Sequence, residues 1–218
     1  MPGRVTGESR VFPWVLRTLP LPPVREREVL RYAGCREAEE STLALLQSCL
    51  RETEELNTAS LLFLTAPGDA LCLPEGKTVS LLASSDMLCL FACTLGMAWD
   101  RLIRRYSHLS PARALMLQAL GTERLESCLD GLTGADLGCP ALLVRRRISP
   151  GYGDFPLEFQ RELFRFLPCT SALGLTLSPS LLMTPSKSVT GVMGLSRTGA
   201  DSPGCSACHL ADCSFRRS

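Results

Sequence analysis

One ten-residue stretch, Arg147-Ile148-Ser149-Pro150-Gly151-Tyr152-Gly153-Asp154-Phe155-Pro156, constrains the fold more than any other part of this chain. Its two prolines fix φ and remove two N–H donors, and its two glycines admit backbone angles closed to other residues. Neither a helix nor a strand runs through it. An apolar run from Ala141 to Val144 precedes it, and Leu157, Phe159, Leu163, Phe164 and Leu167 follow at helical spacing. The stretch therefore reads as a turn from a strand into an amphipathic helix that begins near Pro156. Irregular backbone held between regular elements is where ligands are commonly bound. Gly151 leaves the main chain open to a ligand, Arg147 offers a fork that seeks carboxylates, and Tyr152 offers an amphipathic ring. The same spacing also describes a surface loop whose tyrosine caps the core.

The surrounding pattern predicts the fold class. Leu43, Leu46, Cys49 and Leu50 recur at helical spacing between Arg36 and Leu56. Residues 58–65 and 78–83 read as strands, and Ser85-Asp86 as the cap of a long apolar helix reaching Tyr106. Ser110-Pro111 signals the start of another helix ending near Leu132, with Gly121 interrupting it or closing its first half. Residues 173–177, 181–183 and 189–195 read as strands again. Strands, then helices, then strands predict an α+β fold, a mainly antiparallel sheet with helices packed on it. The organised body spans residues 25–196, with residues 1–24 an N-terminal tail or strap and residues 197–218 a Cys-bearing C-terminal tail.

Composition narrows the class of function. With 218 residues and 45% apolar content the chain can bury a sizeable core, and a net charge of +1 gives no field to attract nucleic acid. The N-terminus lacks the apolar stretch of a secretory signal, and the longest nearly uncharged run, Met87 to Trp99, is too short to span a bilayer. A cytoplasmic protein with neither nucleic-acid nor membrane partners is expected. Eleven cysteines, many in apolar patterns, fit reduced buried thiols better than a disulfide framework. Cys49, Cys89, Cys93 and Cys128 are read as helical core positions.

Three segments in one order resemble a known family: Arg27-Glu28-Val-Leu-Arg31-Tyr32, the Arg147 to Tyr152 turn, and Ser178-Pro-Ser-Leu-Leu-Met183-Thr-Pro-Ser-Lys187-Ser188-Val-Thr-Gly191-Val-Met-Gly-Leu-Ser196. Together they are similar to the S-adenosylmethionine-binding activation domain of cobalamin-dependent methionine synthase, in particular to its short, free-standing bacterial form. The resemblance implies a fold, a ligand and partners. Arg147, Pro150, Gly151 and Tyr152 would line the S-adenosylmethionine site, and a helical glutamate, Glu126 with Glu123 as its rival, would meet the ligand's ammonium. For either glutamate a solvated helix face is the alternative. Lys187 and Ser188 would belong to a loop near a cobalamin-facing cleft; read from the residues alone, that loop is a hairpin turn with one exposed lysine. The family carries an acidic residue after its early Arg/Tyr segment, where this chain has Ala33-Gly34-Cys35.

By the same resemblance the chain would be an activation subunit for a cobalamin-binding methionine synthase core. An electron donor of flavodoxin or ferredoxin type would reduce the partner's cobalamin, which would then take the methyl group of S-adenosylmethionine. The competing expectation is a non-catalytic binding or scaffold module. Separately, Cys205-x-x-Cys208-His209-x3-Cys213 has a spacing that lets thiolates share a zinc ion or an iron–sulfur cluster, or else leaves them unligated in a polar tail.

Overall fold

A computed structural model describes residues 12–35, 38–71, 73–80, 82 and 85–197. In chain order the elements are β1 (Trp14–Pro20), α1 (Glu26–Tyr32), α2 (Glu40–Glu52), β2 (Thr58–Pro67), α3 (Lys77–Ser80), β3 (Met87–Thr94) and α4 (Met97–Leu109). There follow α5 (Pro111–Asp130), β4 (Leu143–Ile148), α6 (Phe159–Phe166), α7 (Cys169–Leu173), β5 (Thr176–Leu177), β6 (Met183–Thr184) and β7 (Ser188–Ser196). Five strands form one antiparallel sheet in the order β1-β2-β3-β7-β4, while β5 and β6 pair separately. The architecture is the expected α+β, with helices on both faces of the sheet.

Both faces of the central strands are covered, which explains their sequences. Cys89, Phe91 and Cys93 of β3 pack with Leu61, Phe63, Met193 and Leu195 beneath α1, α2, α4 and α5. The alternate residues Leu88, Leu90 and Ala92 pack with Leu62, Leu64, Ile148 and Val192 against α3, α6 and α7. A strand buried on two sides shows no polar alternation, so its apolar run carries no period of two. That is why Met87 to Thr94 reads as part of a helix in the sequence; the helix starts only after Gly96, at φ 81°. Cys89 and Cys93 are accordingly strand residues, buried as expected, and Cys49 and Cys128 are buried helical ones.

Other expectations shift for identifiable reasons. The segment expected as a strand at residues 78–83 holds the single turn α3, anchored by Asp154, whose carboxylate accepts the N–H groups of Lys77 at 2.6 Å and Thr78 at 2.8 Å. Residues 14–20, expected within a tail or strap, pair along their whole length with β2. As an edge strand β1 exposes most of its side chains, so no buried face marks it in the sequence. α5 does begin at Pro111, yet Ser110 makes no side-chain capping bond, and Gly121 lies inside an unbroken helix. A Cβ at Gly121 would stand 3.1 Å from both the Lys187 stem and the Trp99 ring, so this glycine serves packing rather than helix ending.

Among the described residues no helix is long and apolar enough to cross a membrane.

Candidate functional site

The β4 strand carries a bulge. Val144 faces Leu195 and Arg147 faces Met193, so two residues of β4 oppose the single residue Gly194 of β7. In an unbroken strand Val144 and Arg147 would point to opposite faces; the extra residue puts both on the side covered by α5. Arg147 Nη2 there donates to Glu126 Oε2 at 2.8 Å and to Asp130 Oδ1 at 3.1 Å. Its side chain is only 17% exposed, and Nη1 and Nε make no hydrogen bond among the described residues.

The α5 stripe Glu123, Glu126 and Asp130 extends this pair into a network, since residues three, four and seven apart share one helix face. Arg25, just before α1, donates from Nε to Glu123 Oε1 at 2.8 Å and from Nη1 to Asp130 Oδ2 at 3.3 Å. Asp130 thus joins the two arginines. Glu123 is wholly buried, and its second oxygen has no partner among the described residues. The solvated-face reading fails for it, because Arg25 folds over it from α1.

Antiparallel pairing brings the turn and the later loop to one end of the sheet. β4 ends at Ile148, opposite Val192 in the middle of β7, so the turn that follows runs toward the Ser188 end of that strand. Gly191 permits this approach: a Cβ there would stand 2.4 Å from the Ile148 carbonyl oxygen and 2.8 Å from the Phe91 ring. Beyond Ile148 the turn closes on itself. The Gly151 N–H donates to the Phe155 carbonyl at 2.8 Å, and the Phe155 N–H to the Tyr152 carbonyl at 3.0 Å. Gly151 adopts φ 88°, a value that favours glycine. Pro150 is buried and Tyr152 is 64% exposed. Phe155, not the tyrosine, caps the core, its ring 5.1 Å from that of Phe159.

Asp154 fixes the turn from outside. Hydrogen bonds from the Thr78 hydroxyl and from the N–H groups of Thr78 and Lys77 hold its carboxyl pKa at about 2. On the opposite loop, Lys187 is not the exposed hairpin lysine expected. Its ammonium donates to Thr122 Oγ1 at 3.1 Å with its stem against Gly121, and burial lowers its pKa, partly offset by Asp100. Asp100 holds the loop itself, accepting from the Ser186 N–H and hydroxyl. Ser188 donates to Thr94 Oγ1 at 2.7 Å and β6 pairs with β5, so β6 and β7 form no hairpin.

The structure therefore joins Arg147 directly to Glu126 and places Pro150, Gly151 and Tyr152 at the sheet end where Lys187 and Ser188 also lie. Lys187 and Ser188 are tied into the α4, α5 and β3 side of that end. Two surface hollows, of about 320 and 330 Å³, are lined by none of these residues. Cys205, Cys208 and Cys213 lie outside the described residues, among which no group of three or more His, Cys, Asp or Glu is arranged to hold a metal. Sequence reasoning did not single out Asp130, Arg25 or Asp154. The carboxylate stripe on α5 was legible as spacing; the bulge that aims Arg147 at it was not.

No protein-family model matches the sequence, and no curated protein matches it. Among solved structures the chain is similar to the MetH reactivation domain bound to AdoHcy, with a TM-score of 0.60 and 14% sequence identity over 88% of this chain and 81% of that one. At that identity the likeness establishes the fold: this chain folds as the MetH reactivation domain does.

Proposed function

We propose that this chain is an S-adenosylmethionine-binding activation subunit for reductive remethylation of cobalamin on a methionine synthase core or a related corrinoid methyltransferase. The observation that carries the reading is the state of Arg147. Its charge is anchored through Nη2 by Glu126 and Asp130, while Nη1 and Nε remain for another acceptor. A guanidinium beside a carboxylate complements an α-amino acid zwitterion, with the ligand's carboxylate on Arg147 and its ammonium on Glu126. The side-chain-free Gly151 and the exposed Tyr152 ring follow Arg147 by four and five residues in the turn, where an adenosine would extend. The fold likeness supports the assignment, since AdoHcy is what S-adenosylmethionine becomes on losing its methyl group.

When bound, S-adenosylmethionine supplies an electrophilic sulfonium methyl group. The protein's own contribution is positional: Arg147 and Glu126 fix the amino-acid end, the Asp154 clamp keeps the turn rigid, and the Lys187 loop shapes the opposite wall. Holding two reactants in register lowers a barrier without any acid or base. The partner is a cobalamin-binding core, with a flavodoxin- or ferredoxin-type electron donor. A second reading, a non-catalytic scaffold module, rests on the fact that the Arg147 charge is already paired with Glu126 and Asp130.

Calorimetry separates the two readings. S-adenosylmethionine should bind the wild-type chain, and Arg147→Ala should weaken it at least about tenfold, as expected for loss of a charge-assisted hydrogen bond. Arg147→Lys, which keeps the charge, controls for damage to the ion pairs. With ligand binding in hand, the chain mixed with a cobalamin-bearing core and a reductant should yield the methylcobalamin spectrum. Binding without that conversion favours the scaffold; equal affinity in wild type and Arg147→Ala removes Arg147 from the site.

A further inference from the structure

Arg124 presents a different problem from Arg147. It is only 9% exposed, on the face of α5 turned toward the β1–α1 connection, and one Nη1 donates to the Pro22 carbonyl. That neutral acceptor does not balance the charge. Arg124 makes no ion pair among the described residues, its neighbour Glu123 being engaged by Arg25. Burial accordingly lowers the Arg124 pKa from its ordinary value, with Glu123 only partly compensating. A cation taken out of water without a counter-charge is costly, and such groups are found paired.

The guanidinium is also not sealed in. Arg124 lines a hollow of about 320 Å³ that lies between the end of α2 and the β1–α1 connection. Arg51 adds a second cation to that lining, Asn57 an amide, and Val24 and Leu50 an apolar wall. The last carbonyls of α2 would repel an anion, but the Thr53 hydroxyl occupies those of Cys49 at 2.9 Å and Leu50 at 3.3 Å. Glu54, in the same lining, opposes a second negative group on the ligand.

We propose that this hollow binds a small organic acid with a single carboxylate or phosphate head, the head taken by Arg124 and Arg51 and the apolar body laid on Val24 and Leu50. The site is independent of the Arg147 turn, because its lining shares no residue with it. Phosphate and carboxylate oxygens are both matched by paired guanidinium donors, so the choice between them belongs to the test.

The test is an NMR titration of the full chain, following arginine Nε–H signals while sodium phosphate and, separately, sodium propionate are added at constant ionic strength. One arginine signal, missing in Arg124→Gln, should shift along a saturating curve with at least one of the two anions. Saturation with propionate alone identifies a carboxylate head, and with phosphate alone a phosphate head. Arg51→Glu, an exposed change that spares the core, should weaken the saturating anion at least about tenfold. Arg147→Ala should leave the curve unchanged. Shifts that grow linearly with both anions, or a saturating curve that survives Arg124→Gln or Arg51→Glu, would overturn the proposal.

Discussion

Gly191→Ala tests whether the approach of β4 to β7 sets the candidate site. On strand propensity alone the change would stabilise, because glycine inside a strand costs about 0.5–1 kcal/mol relative to alanine. The structure reverses the sign. The new Cβ would stand 2.4 Å from the Ile148 carbonyl oxygen, where ordinary contact begins at 3.4 Å, so β4 must move by about 1 Å. Phe91 at 2.8 Å blocks retreat in the other direction, since it is fully buried in the centre of the sheet. Overpacking of this kind costs about 1–3 kcal/mol, and a backbone obstacle belongs in the upper part of that range. Against the propensity gain, the net loss is about 1–2.5 kcal/mol, a fall in Tm of roughly 2–10 °C for a chain of this size. Differential scanning calorimetry measures it, with Gly131→Ala as the control, because there the new Cβ meets nothing closer than 3.5 Å. Arg147 precedes Ile148 directly, so the same shift should weaken S-adenosylmethionine binding beyond what the stability loss explains. A Gly191→Ala protein as stable as wild type, or more so, would show that the two strands do not meet as closely as this reasoning requires.

Two further outcomes follow from named groups. The Asp154 pKa is depressed from 3.8 to about 2, so its contribution to stability is present above pH 3.8 and is lost as pH falls toward 2. Asp154→Asn should therefore be less stable than wild type at neutral pH and converge with it in acid; an Asp154 carboxyl that titrates near 3.8 by NMR would contradict the clamp. Burial raises the thiol pKa of Cys89 and pushes that of Cys169 up to about 11, so both should resist iodoacetamide at pH 8 in the native chain and react once it is unfolded. Rapid native alkylation of either would refute their place in the core.

By itself the sequence determined the fold class, the start of α5 at Pro111, the irregular turn after β4 and the candidate cation Arg147 that precedes it. These are local matters. Proline and glycine restrict φ wherever they stand, and amphipathic helices carry their period in the chain. The sequence could not separate β3 from α4, because a strand buried on both faces and a buried helix share one apolar composition. Nor could it mark β1, whose exposed edge leaves no buried face to read. The site depended still more on tertiary structure. The bulge that turns Arg147 toward Glu126, the cover that Arg25 gives Glu123, and the slot in which Gly121 lodges Lys187 each join residues distant in sequence. Whether a charged side chain is solvated or buried is decided by what packs over it, and that partner comes from elsewhere in the chain.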